Sequence, residues 1–334
     1  MRCLALARAL RDITQHERDT EVAFACREGS MKTTPALARS GFPVTEATGD
    51  ADFALPDHWN GRADAIFVDL YTSTAADETR MRDHAGIIAA IEDLPERVHD
   101  CDILVDPLPG GSPMVYAGRV PGECNIMAGG AFALIRAEFA ERRPLALERH
   151  RRETALSRIL VSMGLTDLAG VSEPVVRTVL DTLPDAQVEV VLGPSAASRA
   201  ALEALAANDD RLSVLIDIDD MAERMAKADL AIGAGGGTAL ERCVLGLPSI
   251  AVILADNQRE MTRLLHDDGA LLAIDGPDRI AAELPRLLER LTPRARADMA
   301  GMAAAVCDGR GARRVAEALL ARIERYREGA AARV

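Results

Sequence analysis

Along this chain, short apolar runs alternate with stretches whose apolar residues recur every three or four positions, the pattern of strands separated by amphipathic helices. In the first half the runs predict strands over 21–26, 43–47, 65–70, 87–91 and 102–105. Helices are expected over 1–11, 34–40, 75–84 and 132–142. The polar run Glu148-Arg149-His150-Arg151-Arg152-Glu153 breaks the pattern and reads as a linker. The second half is more regular, with strands over 158–162, 187–192, 212–216, 230–233 and 249–254. Between the first two, Val175, Val176, Val179, Leu180 and Leu183 share one helix face. Further helices are expected over 196–207 and 220–228, from the glycine-rich turn to 245, and over 279–291, 293–307 and 312–326. The last carries an apolar stripe of Val315, Leu319, Leu320 and Ile323. Strands alternating with helices predict parallel sheets with crossover helices. The expected class is therefore α/β, as two Rossmann-like doubly wound domains, 1–150 and 151–330, facing across a cleft with the ligand at the strands' carboxyl ends.

Composition narrows the possible partners. A length of 334 residues suits two domains, and with aromatics at only 3% the cores must be filled by aliphatic residues and alanine. The 52 acids outnumber the 39 lysines and arginines, a net charge of −13 that argues against nucleic acid as a partner. An anionic ligand is still possible, because backbone N–H groups bind phosphate without net positive charge. The six cysteines form no Cys-x-x-Cys pair and read as reduced thiols rather than a metal site or a disulfide frame. His16, His58, His84, His99, His150 and His266 fall in no pattern of a base or ligand and are assigned to the surface. No apolar run approaches the ~18 residues of a membrane span, so no membrane partner is expected. The first residues are too quickly polar for a signal peptide, and the cytoplasm is the expected location. Nothing in the pattern fixes the oligomeric state.

The chemistry concentrates at Ala228-Asp229-Leu230-Ala231-Ile232-Gly233-Ala234-Gly235-Gly236-Gly237-Thr238. An apolar strand ends in glycines and a helix opens at once, which lets a diphosphate approach the backbone of Gly235, Gly236 and Gly237 and meet free N–H groups at the helix start. The competing reading is a tight turn that needs glycine for positive φ. No Lys-Ser/Thr follows and the spacing is not the dinucleotide fingerprint, so ATP and NAD chemistry are disfavoured and no cofactor is expected. Thr238 and Glu241 fit a capping box, which the spacing alone favours over a ribose contact for Glu241. Asp256, Asn257 and Gln258 follow the next strand and read equally well as a helix start or as donors to a diphosphate or sugar. Tyr71, ending the strand over 65–70, reads as a half-buried amphipathic residue or a cleft residue.

Taken together, these blocks resemble the UDP-2,4-diacetamido-2,4,6-trideoxy-β-L-altropyranose hydrolase family of pseudaminic acid synthesis. The resemblance rests on Met1-Arg2-Cys3-Leu4-Ala5-Leu6-Ala7, Val68-Asp69-Leu70-Tyr71, Gly129-Gly130-Ala131-Phe132, Val161-Ser162-Met163-Gly164 and the glycine turn through Glu241-Arg242-Cys243, Gly246-Leu247-Pro248-Ser249 and Ala255-Asp256-Asn257-Gln258. It implies a glycosyltransferase-B fold, a UDP-sugar substrate, and metal-independent attack of water at the anomeric carbon. It makes Tyr71 and Asn257 catalytic, and Gly164, Gly235, Gly236, Gly237, Thr238, Glu241, Asp256 and Gln258 substrate-binding. On this reading the helix start at Gly236, Gly237 and Thr238 steadies the departing diphosphate.

The departures lie at the front. The family opens with a strand and a Gly-x-Gly-His turn, its histidine a general base, before the block that here begins at Met1. Leu70 stands where the family has His, and Leu165 where it has a second Gly. A doubly wound domain places its first strand centrally, here between the strands over 21–26 and 65–70. Removing it leaves buried backbone groups unpaired at ~1–3 kcal/mol each. The expectations are a natural chain extending upstream of Met1, and little turnover by these 334 residues. The alternatives are a UDP-sugar-dependent glycosyltransferase and a non-catalytic nucleotide-sugar binder.

Overall fold

The computed structural model describes residues 1–15, 20–47, 55–152, 155–167 and 170–332. His16 and Glu153, assigned above to the surface and the linker, lie outside the described residues. The chain forms two compact units, Met1–Ala137 with Gly309–Val334, and Glu138–Asp308. Among the described residues all the strand pairings are parallel.

In the first unit the strands are β1 (Phe24–Arg27), β2 (Val44–Ala47), β3 (Ala63–Val68), β4 (Ala85–Ile91), β5 (Ile103–Asp106) and β6 (Asn125–Ala128). Among the described residues β1 pairs with β2 alone, while β3, β4, β5 and β6 form a separate sheet in that order. Side chains of successive strand residues point to opposite faces, so β4 needs apolar residues throughout. Ile87, Ala89 and Ile91 pack with Ile103 and Val105 against Leu6 and Leu10 of helix Arg2–Thr14 and Val315 and Leu319 of helix Gly311–Ala331. On the other face Ile88 and Ala90 meet Val68, Met81, Leu104 and Tyr116.

The second unit holds β7 (Arg158–Ser162), β8 (Gln187–Leu192), β9 (Leu212–Ile216), β10 (Leu230–Ala234), β11 (Ser249–Val252) and β12 (Leu272–Ile274). Their order is β12-β11-β10-β7-β8-β9, so the chain runs outward from β7 to one edge, returns, and runs outward from β10 to the other. Val175, Val176 and Val179 of helix Ser172–Thr182 cover Ile159, Val161, Val188, Val190 and Ile232 in one core.

Several elements depart from the expected pattern. β6 and the three-residue β12 are too short and too poor in β-branched residues to stand out, and helix Arg259–Asp267 has a strongly charged surface. The helix expected over 132–142 runs instead over Ala137–His150, passing through Pro144. It is held by Arg143, which donates to the carbonyls of Val244, Ala304 and Cys307 at 2.5, 2.7 and 3.0 Å, and by burial of Phe139, Ala146 and His150. Glu148, Arg149 and His150 are therefore helical and belong to the second unit, not to a linker ending at 150. The apolar stripe of Gly311–Ala331 packs on β4 and β5, which returns the chain's last helix to the first unit.

Candidate functional site

In the second unit β7 and β10 are neighbours, with Val161 opposite Ile232 and Ser162 opposite Gly233. Their onward connections diverge to opposite halves of the sheet, which opens a crevice above their carboxyl ends. Gly164 stands in the loop after β7, exposed, at φ +100°, where a side chain is disfavoured. The glycine turn follows β10.

None of Gly235, Gly236 and Gly237 has a positive φ, so turn strain does not account for them. Gly235 has a packing reason: an added Cβ would collide with Oγ1 of the buried Thr262, which donates to the Gly235 carbonyl at 3.2 Å. Gly237 has none, because nothing lies within 4 Å of an added Cβ. Beside Gly236 the nearest atom is Gln258 Nε2 at 3.8 Å. Among the described residues the N–H groups of Gly236, Gly237 and Thr238 have no hydrogen-bond partner. Helix Thr238–Val244 opens at Gly237 without a side-chain cap. The corner after β7 differs, since Asp167 accepts from the N–H groups of Val171 and Ser172 at 3.0 and 3.2 Å and occupies its own helix start.

The expected capping box does not form. Helical geometry begins at Gly237 (φ −52°, ψ −26°), which makes Thr238 the first helical residue and sets Glu241 one position too far along. Glu241 is half-buried on the first turn. Neither Asp256 nor Asn257 caps a helix: a short 3-10 turn spans Asp256–Gln258, and Arg259–Asp267 begins at Gln258 with no side-chain cap. Asp256 is 98% exposed and pairs with Arg259 at 3.1 Å. Asn257 is exposed with no side-chain partner among the described residues. Gln258 accepts from Leu254 N–H at 3.0 Å, and its Nε2 is the atom beside Gly236.

Arg242 was given no role from the sequence. It is 1% exposed and donates through Nη2 to the Ala234 carbonyl at 3.0 Å. Gly233 makes room for it, since an added Cβ would clash with its guanidinium. Burial lowers its pKa to about 10, so it remains a cation at neutral pH. It makes no close ion pair among the described residues, and the Glu241 carboxylate acts on it only at longer range. The signal in the sequence was an arginine set among Ala239, Leu240, Cys243 and Val244, all buried.

At the carboxyl ends of β3 and β4 the first unit gathers charged groups. Arg2 donates to Asp69 at 2.6 and 2.9 Å and to Asp93 at 3.1 Å. Tyr71, 46% exposed, donates its hydroxyl to Asp93 at 2.9 Å, with the Arg2 guanidinium 5.9 Å from its ring centre. Cys3 Sγ lies 3.3 Å from Asp69, and burial with that carboxylate pushes its thiol far up.

Two histidines expected at the surface are buried, each by partners remote in sequence. His99 lies between Glu78 and Glu92 at 2.7 and 2.8 Å. Burial opposes its charge, yet the two carboxylates raise its pKa to about 9. His150 bonds the carbonyls of Ala228 and Leu245 at 2.9 and 3.0 Å, and burial lowers its pKa. His58, His84 and His266 are exposed. No helix among the described residues is long and apolar enough to cross a membrane.

Residues 169–318 match the glycosyltransferase family 28 C-terminal domain. The chain is 23% identical to UDP-2,4-diacetamido-2,4,6-trideoxy-beta-L-altropyranose hydrolase of Campylobacter jejuni over 263 residues, 78% of this chain and 90% of that one. Over 191 residues it is 37% identical to UDP-N-acetylglucosamine–N-acetylmuramyl-(pentapeptide) pyrophosphoryl-undecaprenol N-acetylglucosamine transferase of Sorangium cellulosum, 53% of this chain and 46% of that one. Among solved structures it resembles MurG of Acinetobacter baumannii (TM-score 0.60, 16% identity, 95% of each chain). It also resembles a UDP-N-acetylglucosamine 2-epimerase (TM-score 0.57, 15% identity, 96% and 93% covered). The fold is thus α/β with two Rossmann-like units, of the glycosyltransferase-B class expected from the sequence.

Proposed function

We propose that the unit Glu138–Asp308 binds UDP at its glycine turn and that the protein cleaves a UDP-linked sugar. The observation that carries the reading is the row of three partnerless N–H groups at Gly236, Gly237 and Thr238, beside glycine positions whose missing side chains the protein itself does not need filled. Such a row suits phosphate oxygens. Arg242 adds a buried positive charge beneath it, bonded to Ala234 at the strand's end. Glu241 is assigned to the ribose hydroxyls, Gln258 Nε2 to the diphosphate, and Gly164 to the opposite side of the crevice. Asp256 is left to its ion pair with Arg259.

The proposed reaction is hydrolysis. A water oxygen bonds to the anomeric carbon as the bond to the phosphate oxygen breaks, the electron pair leaves with UDP, and the water's proton passes to a base. Support comes from the similarity to the Campylobacter jejuni hydrolase, which extends over 90% of that chain. Tyr71 and Asn257 are the proposed catalytic side chains. The carboxylates near Tyr71 are engaged, Asp69 by Arg2 and Asp93 by Arg2 and Tyr71. Without an unengaged base the expected turnover is depressed by about 10²–10⁴-fold. Transfer of the sugar to a hydroxyl acceptor is the second reading, supported by the family 28 match and the 37% identity to a transferase.

Calorimetric titration with UDP tests the binding claim. A dissociation constant below about 1 mM is expected, and no heat at millimolar UDP would overturn it. With a UDP-linked diacetamido-trideoxy sugar, slow appearance of free sugar supports hydrolysis. A product in which the sugar is attached to an added acceptor supports transfer instead.

A further inference from the structure

Cys101 and Cys124 stand 23 residues apart in the chain, yet their sulfurs lie 3.7 Å from each other. The sheet of the first unit makes the pair. Ile103 of β5 stands opposite Asn125 of β6, so the register continued by one residue sets Cys124 opposite Asp102 and Cys101 one place behind. The chain bends at Asp102, whose carboxylate turns to Arg82, Arg322 and the Ile88 N–H. Before that bend Cys101 joins Cys124 on the face that holds Ile88, Leu104 and Tyr116. Strands ~4.8 Å apart with a rise of ~3.3 Å per residue set such a diagonal pair at ~6 Å between Cα atoms, within the ~4.4–6.8 Å that a disulfide spans. Bond formation requires the sulfurs to close from 3.7 Å to ~2.05 Å, a movement within reach of side-chain rotation.

The two thiols are unequal. Cys101 is fully buried, whereas Cys124 is half-buried and open to small solutes. The hydrogen bond with Cys101 draws the Cys124 thiol below its ordinary range against burial and Asp102, and the positive charge of His99 adds to it. The same contact and burial push the Cys101 thiol far up. The thiolate is the reactive form of cysteine. One sulfur is therefore a nucleophile that a solute can reach, and the other a covered thiol in contact with it. Cys26 offers a comparison: it is also half-buried, but its sulfur lies 3.8 Å from the Thr45 carbonyl.

We propose that Cys124 and Cys101 form a peroxide-reactive dithiol, in which Cys124 is oxidised first and Cys101 then closes it to an intramolecular disulfide. The Cys124 thiolate attacks one oxygen of hydrogen peroxide, an S–O bond forms as the O–O bond breaks, and hydroxide leaves and takes up a proton as water. The Cys101 sulfur next attacks the Cys124 sulfur, losing its proton as the S–O bond breaks, and the second oxygen leaves as water. Two thiols and one peroxide become one disulfide and two waters, with two electrons passing from sulfur to peroxide. The product ties β5 to β6 at their amino ends and encloses Asp106 and Tyr116 in the ring. This inference does not depend on the ligand of the other unit.

The test treats the full native chain with micromolar hydrogen peroxide and follows it by intact mass and peptide mapping. The expected product has lost the mass of two hydrogens, joins Cys101 to Cys124 within one chain, and returns to the starting mass with a thiol reductant. Cys124 should react at least about tenfold faster than Cys26. In Cys101→Ser, a sulfenic acid should accumulate on Cys124 and be captured by dimedone. In Cys124→Ser, Cys101 should stay reduced. Equal rates at Cys124 and Cys26 overturn the proposal, as does a disulfide between two chains or a Cys124 sulfenic acid that persists with Cys101 present. If Cys101→Ser fails to fold, Cys101→Ala takes its place. If neither folds, the map and relative rates in the natural chain decide the point.

Discussion

In the second unit β7 lies between two partners and the glycine turn stands at the end of a closed ladder, whereas in the first unit the corresponding strands, β1 and β3, border a cavity. On the proposed reading the contrast separates binding from chemistry. The second unit's crevice rests on a six-stranded sheet whose central strands are buried on both faces, which fixes the turn residues in place. The first unit brings Arg2, Asp69, Tyr71 and Asp93 together at the start of a helix and just past the ends of β3 and β4, and Asp69 and Tyr71 also line the cavity.

The largest expected effect that sharpens this contrast is an opposite response of the two units to pH. His99 holds its proton through Glu78 and Glu92, the latter also paired with Arg97 at 2.8 Å. Its pKa is raised from 6.5 to about 9, so its contribution to the first unit is whole below about pH 6.5 and is lost as pH rises through about 9. That loss is at most roughly 3 kcal/mol. His150 has a lowered pKa, so its contribution to the second unit is present above pH 6.5 and lost as pH falls below it. Hydrogen exchange, corrected for intrinsic rates, is expected to show β4 and β5 opening more readily at pH 9, and β7 and β8 more readily at pH 5. His99→Gln should flatten the alkaline loss. If both units weaken together at the same end of the scale, the histidines do not govern their stability.

The next effect concerns the turn alone. Gly237→Asp adds a side chain where nothing lies within 4 Å, so the fold should be unchanged. It also places a carboxylate where the diphosphate is proposed to sit. UDP affinity is expected to fall about 100-fold, or ~2.7 kcal/mol, a size suited to lost charge-assisted hydrogen bonds. Retained affinity with an unchanged melting temperature would move the diphosphate away from this turn.

Much of this contrast was legible in the sequence, and the remainder was not for identifiable reasons. The strands of the second unit are continuous apolar runs with glycines at their ends, so β7, β8, β9, β10 and β11 and the turn stood out. Burial of His99 and His150 did not. Their partners lie 21, 7, 78 and 95 residues away, and three of those separations exceed the reach of any local pattern. The path of Ala137–His150 through Pro144 depends on carbonyls that Arg143 reaches up to 164 residues away. The failed capping box is a matter of one residue, set by where helical φ and ψ begin. The sequence marked the glycines only as a group, and the coordinates separate Gly235, which Thr262 demands, from Gly237, which no described residue demands.

The smallest expected effect bears on the two arginines. Arg2, in the first unit, is matched by Asp69 and Asp93, so its charge is spent within the protein. Arg242, in the second, is buried with no close ion pair among the described residues, and its one hydrogen bond there goes to a carbonyl at the base of the turn. A buried unmatched cation destabilises a fold unless something compensates it, and a bound diphosphate would do so. Arg242→Met removes the charge while keeping length and helix preference. Loss of the bond to Ala234 costs about 1 kcal/mol and relief of the buried charge offsets it, so stability should change little. UDP should bind about tenfold more weakly, ~1.4 kcal/mol, and Arg242→Lys should recover part of that. Unchanged affinity in Arg242→Met would assign the phosphate to the backbone N–H groups alone, and the two arginines would then mark no functional difference between the units.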